Sequence, residues 1–281
     1  MSILIVGFDS AWTARNSGAV VGVLKRDDGT YHELGPPQKA DFDRAVEVVL
    51  EWQGEHRPAG TVQLIDQPTI VNNETGQRPV EGIVSCIVGR RNGGMQPANR
   101  ARAEMFGREA PIWDYLQAFG GPCDPLQGFE SGAIETYPVL AAIALKWTQP
   151  HGLWGRLPKY NPARKKTFLL PDWQHVCESA RVLFEDFNLS TLAQWLEDVR
   201  RKENPRKIDQ DGVDACLCLI TALYLTEGRE CLMVGNMRTG YVVVPHNADL
   251  LSELNARCTA IGRLPADWVH RVRWAPQILL K

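Results

Sequence analysis

The sequence predicts an α/β fold with one mixed sheet and helices packed against it. Three short apolar runs near the amino terminus are separated by tight turns, which is typical of an antiparallel meander. Segments with helical periodicity then alternate with further apolar runs, which favours additional parallel strands. The 281 residues and the hydrophobic content of 44% suit one domain with its own core, which we assign to residues 1–281.

The elements are predicted from changes in the hydrophobic period along the chain. Apolar runs bounded by turn residues predict strands at 3–8, 19–24, 30–34, 61–65, 132–137, 231–235 and 240–244. Apolar residues at helical spacing predict helices at 41–55, 100–107, 111–119, 139–147, 173–186, 190–203, 210–226 and 247–257. The helix at 210–226 is apolar on nearly every side, so we expect neighbouring elements to pack all around it.

Two stretches interrupt this core and are interpreted as insertions, at about 67–130 and 146–206. Residues 67–99 are polar and rich in Gly, Asn and Arg, so they predict a long loop of the kind that is usually functional or mobile. Residues 150–171 contain four prolines and a basic cluster, and they predict an excursion from the core. Residues 230–281 are interpreted as a C-terminal strand pair and helix.

Composition favours a cytoplasmic protein that does not enter a membrane. The net charge of −2 and the pI of about 6.3 argue against a protein that coats nucleic acid. Seven cysteines, an odd number without metal-ligand spacing, are typical of a reducing compartment. The amino terminus lacks the features of a signal peptide, and no apolar stretch reaches ~18 residues. The sequence does not indicate an oligomeric state.

Several acidic residues stand at the ends of apolar elements or inside them. Asp9 and Asp66 each follow a predicted strand, and Glu135 lies within one. Asp214 lies within the apolar helix, and Asp211, three residues earlier, shares its helix face. A buried carboxylate is costly unless it is paired, protonated or bound to metal. Because open α/β sheets place ligands at the carboxyl ends of strands, we expect these acids to converge there.

Clustered carboxylates repel one another, and a divalent cation relieves that repulsion. Oxygen ligands suit Mg²⁺ or Mn²⁺ rather than Zn²⁺. Two such ions can activate water and stabilise the leaving oxygen when a phosphodiester is cleaved. The acids therefore predict a Mg²⁺ or Mn²⁺ site.

Each acid also has a purely structural interpretation. Asp9 could cap a helix or form a turn, and Asp66 could end its strand in a turn with its own backbone. Glu135 could pair with a nearby arginine, and Asp211 could be a solvated acid that the helix dipole favours. Asp214 is the exception, because its neighbours leave little exposed helix face.

A phosphate substrate needs positive charge near such a site, and three basic clusters could supply it. The clusters are Arg90 and Arg91 with Arg100 and Arg102; Lys159 with Arg164, Lys165 and Lys166; and Arg206 with Lys207. Lys207 lies just ahead of the acidic helix and could reach a scissile phosphate. A solvated charge run is the alternative interpretation of each cluster. Tryptophans such as Trp12 could stack on bases, although core packing is their commoner role.

Four short motifs carry the acids in a fixed order along the chain. They are Gly7-Phe8-Asp9, Ile65-Asp66-Gln67-Pro68, Glu135-Thr136-Tyr137-Pro138 and Asp211-Gly212-Val213-Asp214-Ala215. With the predicted element order, these motifs resemble the family called domain of unknown function 429, over roughly residues 3–227. That family is described as predicted nucleases. The resemblance implies a ribonuclease H-like mixed sheet, with an antiparallel three-strand meander, parallel strands and flanking helices.

The resemblance also implies roles for the acids. Asp9, Asp66 and Asp214 would be metal ligands, and Asp211 and Glu135 would be further ligands or would support them. The implied activity is that of a metal-dependent nuclease or related phosphodiester hydrolase, with nucleic acid or a nucleotide as substrate. In this hypothesis Lys207 takes part in catalysis, and the substrate is bound by Arg90, Arg91, Arg100, Arg102, Lys159 and Lys165.

Two other functions remain as alternatives. A phosphotransferase of the actin and sugar-kinase type shares the fold, and residues 7–13 faintly resemble its first phosphate loop. Those enzymes usually need two such domains, however, and the bulky Trp12 would crowd a phosphate. The second alternative is a non-catalytic binding protein in which the acids serve as structural hydrogen-bond partners, because a fold does not determine a function.

Overall fold

A computed structural model of the protein describes residues 2–128 and 131–274, which form a mixed α/β fold. Its strands are β1 (Ile3–Asp9), β2 (Gly18–Lys25), β3 (Tyr31–Glu33), β4 (Gln38–Ala40), β5 (Gly60–Ile65), β6 (Gly132–Glu135), β7 (Cys231–Asn236), β8 (Gly240–Pro245) and β9 (Val269–Val272). Its α-helices are α1 (Phe42–His56), α2 (Pro79–Gly89), α3 (Ala103–Phe106), α4 (Pro111–Ala118), α5 (Pro138–Ala144), α6 (Leu170–Asp186), α7 (Ser190–Arg200), α8 (Lys207–Thr226) and α9 (Ala248–Ala260). Residues 129–130 of the first predicted insertion and 275–281 of the predicted C-terminal segment lie outside the described residues.

Six strands form a mixed sheet with β1 near its centre. β1 pairs antiparallel with β2, and β2 pairs antiparallel with β3 along one half and with β4 along the other. β5 and β6 continue the sheet on the other side of β1 as parallel strands, which gives the order β3-β2-β1-β5-β6. The predicted meander and parallel strands are confirmed. The sequence does not predict β4, because its three residues have no apolar pattern.

β1 is buried on both faces, and its alternating side chains contribute to two hydrophobic clusters. One cluster contains Leu4, Val6 and Phe8 together with buried residues of α1 and α4. The other contains Ile5 together with buried residues of α8, α2, α5, α6 and α7. Helices therefore cover both faces of the sheet. This explains why the strand sequences are continuous apolar runs rather than alternating ones.

Gly7 lets α8 pack directly on β1. A Cβ atom at this position would lie 2.3 Å from the carbonyl oxygen of Ala215 and 2.5 Å from the backbone nitrogen of Leu219. Only a residue without a side chain permits this backbone approach. The contact holds the amino-terminal half of α8 close to the end of β1.

The prediction of a loop throughout 67–99 is wrong, because α2 lies within it. Pro79 occupies the first turn, and the backbone N–H of Arg78 donates to the Glu81 carboxylate at 2.9 Å, so both residues help to start the helix. The buried face of α2 has helical spacing and consists largely of Val80, Ile83, Val84, Ile87 and Val88. The Gly, Asn and Arg residues that suggest a loop flank this helix.

β7, β8 and β9 form a second, antiparallel sheet in the order β8-β7-β9. The predicted strand pair is confirmed. β9 is an additional strand of only four residues. The Thr136 hydroxyl donates to the carbonyl oxygen of Val243 at 2.8 Å, which joins the end of β6 to β8. Within the described part of the chain, no helix is long and apolar enough to span a membrane.

Candidate active site

The three parallel strands of the main sheet end side by side. β1 ends at Asp9, β6 ends at Glu135, and Asp66 directly follows β5. The register pairs Phe8 with Ile65 and Ile65 with Glu135. The N–H of Asp66 also donates to the carbonyl oxygen of Phe8 at 3.0 Å. The predicted convergence of these acids at one edge of the sheet follows from this register.

α8 brings two more acids and a lysine to the same edge. The helix begins at Lys207 rather than at the predicted residue 210, because the N–H of Arg206 donates to the Asp209 carboxylate at 2.7 Å and caps the first turn. Lys207 therefore lies inside the helix, and its predicted position ahead of it is wrong. The spacing of Lys207, Asp211 and Asp214 places all three on one helix face.

Burial, together with the charges of neighbouring carboxylates, raises the pKa values of the acids in the cluster. Burial raises the pKa of Asp9 well above its usual value, and the charges of Asp214 and Asp66 raise it further. Burial is also the main cause of the strongly raised pKa of Asp66, with Asp214 and Glu135 adding to it. Burial raises the pKa of Asp214 to about 6, although Lys207 opposes the shift. Ionising all of these acids together is therefore unfavourable.

Lys207 supplies positive charge within the cluster. Its ammonium group contacts the Asp211 carboxylate one turn along α8, while about half of its side chain is exposed. Burial lowers the pKa of Lys207, but the charges of Asp9, Asp214 and Asp211 outweigh this effect, so that the pKa is raised. Lys207 is therefore a cation that the surrounding acids hold in the charged state.

Two polar side chains fix the carboxylate of Asp214. The Tyr160 hydroxyl donates to its Oδ1 at 2.6 Å, and the Gln210 amide nitrogen donates to its Oδ2. Gln210 is 7% exposed, and its amide oxygen has no hydrogen-bond partner among the described residues. A buried acceptor without a partner is uncommon in proteins and indicates a position where a ligand or water can donate.

Glu135 is paired with an arginine, as its structural interpretation requires. The Arg78 guanidinium donates to Oε1 at 2.6 Å and to Oε2 at 2.7 Å, and the N–H of Thr69 donates to Oε2 at 3.2 Å. Arg78 is itself buried and also pairs with Glu81 at 2.8 Å. Glu135 thus stands beside the acid cluster with both of its oxygens occupied.

A cavity of about 360 Å³ opens beside the acids. Its wall includes Asp66, Asp214, Gln210, Tyr137, Lys159 and Arg164. The wall also includes Glu81 and Glu135, which pair with Arg78. Asp66 and Asp214 belong to the cluster, and Lys159 is one of the predicted substrate-binding residues. The excursion over 150–171 therefore returns to the sheet edge and closes one side of the cavity.

The other predicted substrate-binding residues do not line this cavity. Arg91 is buried and pairs with Glu253 on α9 at 2.6 Å. Arg100 donates to the Val71 carbonyl oxygen at 3.1 Å, so its guanidinium helps to hold the segment before α3. The contacts of these two arginines stabilise the surrounding segments and do not reach the cavity.

The remaining three predicted basic residues, Arg90, Arg102 and Lys165, also lie outside the cavity wall. Arg102 donates to the Gln96 side chain at 2.6 Å. The guanidinium of Arg90 lies 5.1 Å from the centre of the Trp154 ring, and Lys165 is exposed outside the cavity wall. The structure thus brings Lys159 and Lys207 to the acids or the cavity, and it places the other five basic residues elsewhere.

Four polar residues of the site are absent from the predicted set. Gln210 has a sequence signal, since it lies one helical turn before Asp214 and shares its face. Tyr137 belongs to the motif Glu135-Thr136-Tyr137-Pro138, two residues after the acid. Arg164 belongs to a predicted basic cluster but not to the predicted substrate-binding residues, because the sequence does not distinguish it from its neighbours. Tyr160 has no signal, because its partner Asp214 is 54 residues away.

The donor chemistry of the cluster fits a hydrated divalent cation. In the described ranges, the structure contains no group of three or more His, Cys, Asp or Glu side chains positioned to hold a metal ion. Mg²⁺, however, usually keeps several waters and takes one or two carboxylates together with substrate phosphates. The carboxylates of Asp9 and Asp214, and the Gln210 amide oxygen that has no partner among residues 2–128 and 131–274, are oxygen donors of the kind that such a hydrated ion takes.

The fold and the site define an α/β protein with an acid cluster beside a small cavity, and comparison with known proteins gives its family. A family model described as a protein of unknown function (DUF429) matches residues 7–238. Because this match covers most of the chain, the protein belongs to that family. No curated protein and no solved structure matches the chain.

Proposed function

We propose that the protein is a metal-dependent phosphodiester hydrolase, that is, a nuclease, with a ribonuclease H-like fold. The observation that carries the proposal is the meeting of Asp9, Asp66 and Asp214, from two adjacent strand ends and one helix, beside a cavity. Burial is the main cause of their raised pKa values, and the like charges of neighbouring carboxylates add a repulsion that a divalent cation would relieve. The antiparallel meander followed by parallel strands and a helix across the sheet supports the fold assignment.

Mg²⁺ or Mn²⁺ is the cation that these oxygen donors suit. Asp9 and Asp214 would hold it with Asp66, and Asp211 would support them through Lys207. When bound, the metal would activate water and stabilise charge on the phosphate oxygens. Glu135 would act indirectly, because its oxygens remain paired with Arg78.

The protein's own residues orient and balance the reacting groups. Tyr160 and Gln210 hold the Asp214 carboxylate in one orientation. Lys207 is held by Asp211 and places a positive charge next to Asp9 and Asp214, where it can attract a phosphate. Lys159 adds a second cation from the cavity wall.

The decisive experiment is a hydrolysis assay with variants of the acids. We expect wild type to cleave bis(p-nitrophenyl) phosphate or short oligonucleotides with Mg²⁺ or Mn²⁺. Asp9→Asn and Asp214→Asn should each lower the rate by about 10²-fold or more. Asp186→Asn is the matched control, because Asp186 is an exposed acid at the end of α6. Equal rates in all variants would refute the proposal, and nucleic-acid binding without metal or turnover would favour the non-catalytic alternative.

The cysteines support a cytoplasmic location for this activity. No disulfide links the seven cysteines, all of which are described, and six of them are buried. Buried thiols of this kind are typical of proteins from a reducing compartment.

A further inference from the structure

We infer that the cavity beside the acid cluster binds a single nucleotide unit, either a free nucleotide or the terminal nucleotide of a single strand. The inference rests on the proposed function and names its substrate class. It is drawn from the size of the cavity, its cations, its aromatic rings and one unpartnered buried acceptor.

The cavity has the size of a small-ligand site. Its volume of about 360 Å³ lies near the lower end of the range of about 300–1,000 Å³ that is usual for small molecules and cofactors. A duplex, in contrast, is bound along an extended basic surface of roughly 600–2,500 Å². The acids Asp66 and Asp214 lie in the cavity wall, so a substrate must enter the cavity to reach them.

The cations around the cavity are enough to bind only one or two phosphate groups. Lys159 and Arg164 line it, and among the described residues no hydrogen bond or ion pair occupies the Arg164 guanidinium. Two other arginines of the surrounding segments are neutralised, since Arg91 pairs with Glu253 and Arg156 pairs with Asp172. Each phosphate contact in a polynucleotide complex needs a cation that is free to make it. The Lys159 ammonium donates one hydrogen bond to the carbonyl oxygen of Asn92 and keeps its charge. Of the four acids in the wall, Glu81 and Glu135 pair with Arg78, and Asp66 and Asp214 belong to the acid cluster. The two cations of the wall match one or two phosphates.

The wall of the cavity contains three aromatic residues, Trp12, Tyr137 and Tyr160, and aromatic rings are the groups on which a base stacks. The Tyr137 hydroxyl donates to the carbonyl oxygen of Gly94 at 2.6 Å, and the Tyr160 hydroxyl donates to Asp214, so both rings are held in place. Trp12 also lines the cavity, and its backbone has a φ of 61°, an uncommon conformation for a bulky residue. Such strained positions concentrate at functional sites. Stacking of a base on aromatic rings contributes about 1–3 kcal/mol per base.

Gln210 adds a hydrogen-bond acceptor to the cavity. Its amide oxygen has no partner in the described part of the chain, and the residue lines the cavity next to Asp214. A buried acceptor favours a ligand that brings an N–H or O–H group, and a nucleotide carries such donors on its base and sugar. A simple phosphodiester without these donors would leave the acceptor unsatisfied.

The test is calorimetric binding of adenosine and uridine 5′-monophosphates to the full chain in Mg²⁺. These ligands contain no phosphodiester, so their binding does not depend on turnover. Arg164→Ala should weaken binding by about fivefold or more, and Lys159→Ala should weaken it as well. Lys166→Ala is the matched control, because it removes the same charge from the same exposed segment outside the cavity wall, and it should change binding less than about twofold.

Binding of a single-stranded tetranucleotide and of a closed hairpin distinguishes a free nucleotide from the terminal nucleotide of a strand as the ligand. If the tetranucleotide binds with the same dependence on Arg164, the cavity takes a strand end; if only the monophosphates bind, the ligand is a free nucleotide. The inference is overturned if millimolar monophosphate does not bind, if the hairpin binds most tightly, or if Arg164→Ala and Lys166→Ala have equal effects. Failure of the hydrolase proposal would appear instead in the Asp9→Asn assay, with nucleotide binding intact.

Discussion

At the scale of single residues, the acids of the site oppose the stability of the fold at neutral pH. The pKa of Asp9 is raised, so ionisation of Asp9 favours the unfolded chain. This cost is absent below the unfolded pKa of about 3.8. It develops as the pH rises from there through the folded pKa. Active sites often retain such destabilising groups because the chemistry requires them.

We therefore predict that Asp9→Asn stabilises the protein at pH 8 without divalent cations, by roughly 1–3 kcal/mol. Asparagine keeps the shape of the side chain but never ionises. The gain should shrink at pH 4, where Asp9 is already protonated in the folded state. Urea unfolding at the two pH values measures it, with the exposed Asp186→Asn as reference. A variant that is less stable than wild type at pH 8 would contradict the assigned electrostatics.

Arg78 is the residue whose loss should cost the most stability near the site. It pairs with both Glu135 and Glu81, and all three side chains are buried. Arg78→Met would leave two buried carboxylates without their partner, so we expect a loss of about 3–5 kcal/mol. Arg44→Met removes an exposed arginine that pairs with Glu47 and should cost less than about 1 kcal/mol. Chemical denaturation compares the two variants, and similar losses would show that the Arg78 network is not important for stability.

The sequence identifies the acids of the site better than their partners. Asp9 and Asp214 can be recognised because a charge among apolar neighbours is unusual within a short window. Arg78 is 57 residues from Glu135, and nothing local distinguishes it from the many solvated arginines. A pairing of this kind depends on how distant segments fold together, which a single sequence does not reveal.

At the scale of elements, the close packing of α8 on β1 decides whether the acids meet. Gly7→Ala would place a methyl group against the backbone of α8, whose atoms cannot move aside as the end of a flexible side chain can. We expect a loss of about 1–3 kcal/mol, together with reduced hydrolysis as Asp214 moves away from Asp9. Gly54→Ala is the opposite control. Gly54 lies on the exposed side of α1 with open space around it, so alanine should stabilise the protein by about 0.5–1 kcal/mol.

Urea unfolding and the hydrolysis assay together measure this prediction. If Gly7→Ala lost neither stability nor activity, α8 could not be held as closely against β1 as the structure shows. Loss of stability without loss of activity would show that the position of Asp214 tolerates movement of the helix.

The long elements are predictable, whereas the short ones depend on their partners. The longer strands of the main sheet and the helices after residue 170 have enough apolar residues to establish a period. β4 and β9 consist of three and four residues, and each exists because a longer strand, β2 or β7, offers it unpaired backbone groups. The sequence fails to predict α2 for a different reason, because the polar residues on both sides of the helix dominate the composition of residues 67–99.

At the scale of the whole molecule, the candidate site assembles segments that are far apart in the chain. Strand ends can be predicted to meet, because parallel neighbours end at one edge of a sheet. The cavity cannot be predicted in this way. Its wall combines Trp12, Tyr137, Arg164 and Gln210, which come from a turn, a strand end, an excursion and a helix. Their proximity depends on the packing of all the layers, and this is also why the ligand class can be argued only from the structure.

A divalent cation should couple this assembly to global stability. Because a cation that binds only the folded state stabilises it by mass action, about 2.7 kcal/mol is expected at 100 times the dissociation constant. We predict that Mn²⁺ or Mg²⁺ raises the melting temperature of wild type and has much less effect on Asp9→Asn. The rise should be larger at pH 8 than at pH 5, because the pKa of Asp214 is about 6 and its protonated form binds cations poorly.

Differential scanning fluorimetry with Mn²⁺ at the two pH values tests this prediction, with Asp186→Asn as control. Equal shifts in wild type and Asp9→Asn would locate the cation outside the cluster, and a shift that does not change with pH would show that Asp214 is not one of its ligands.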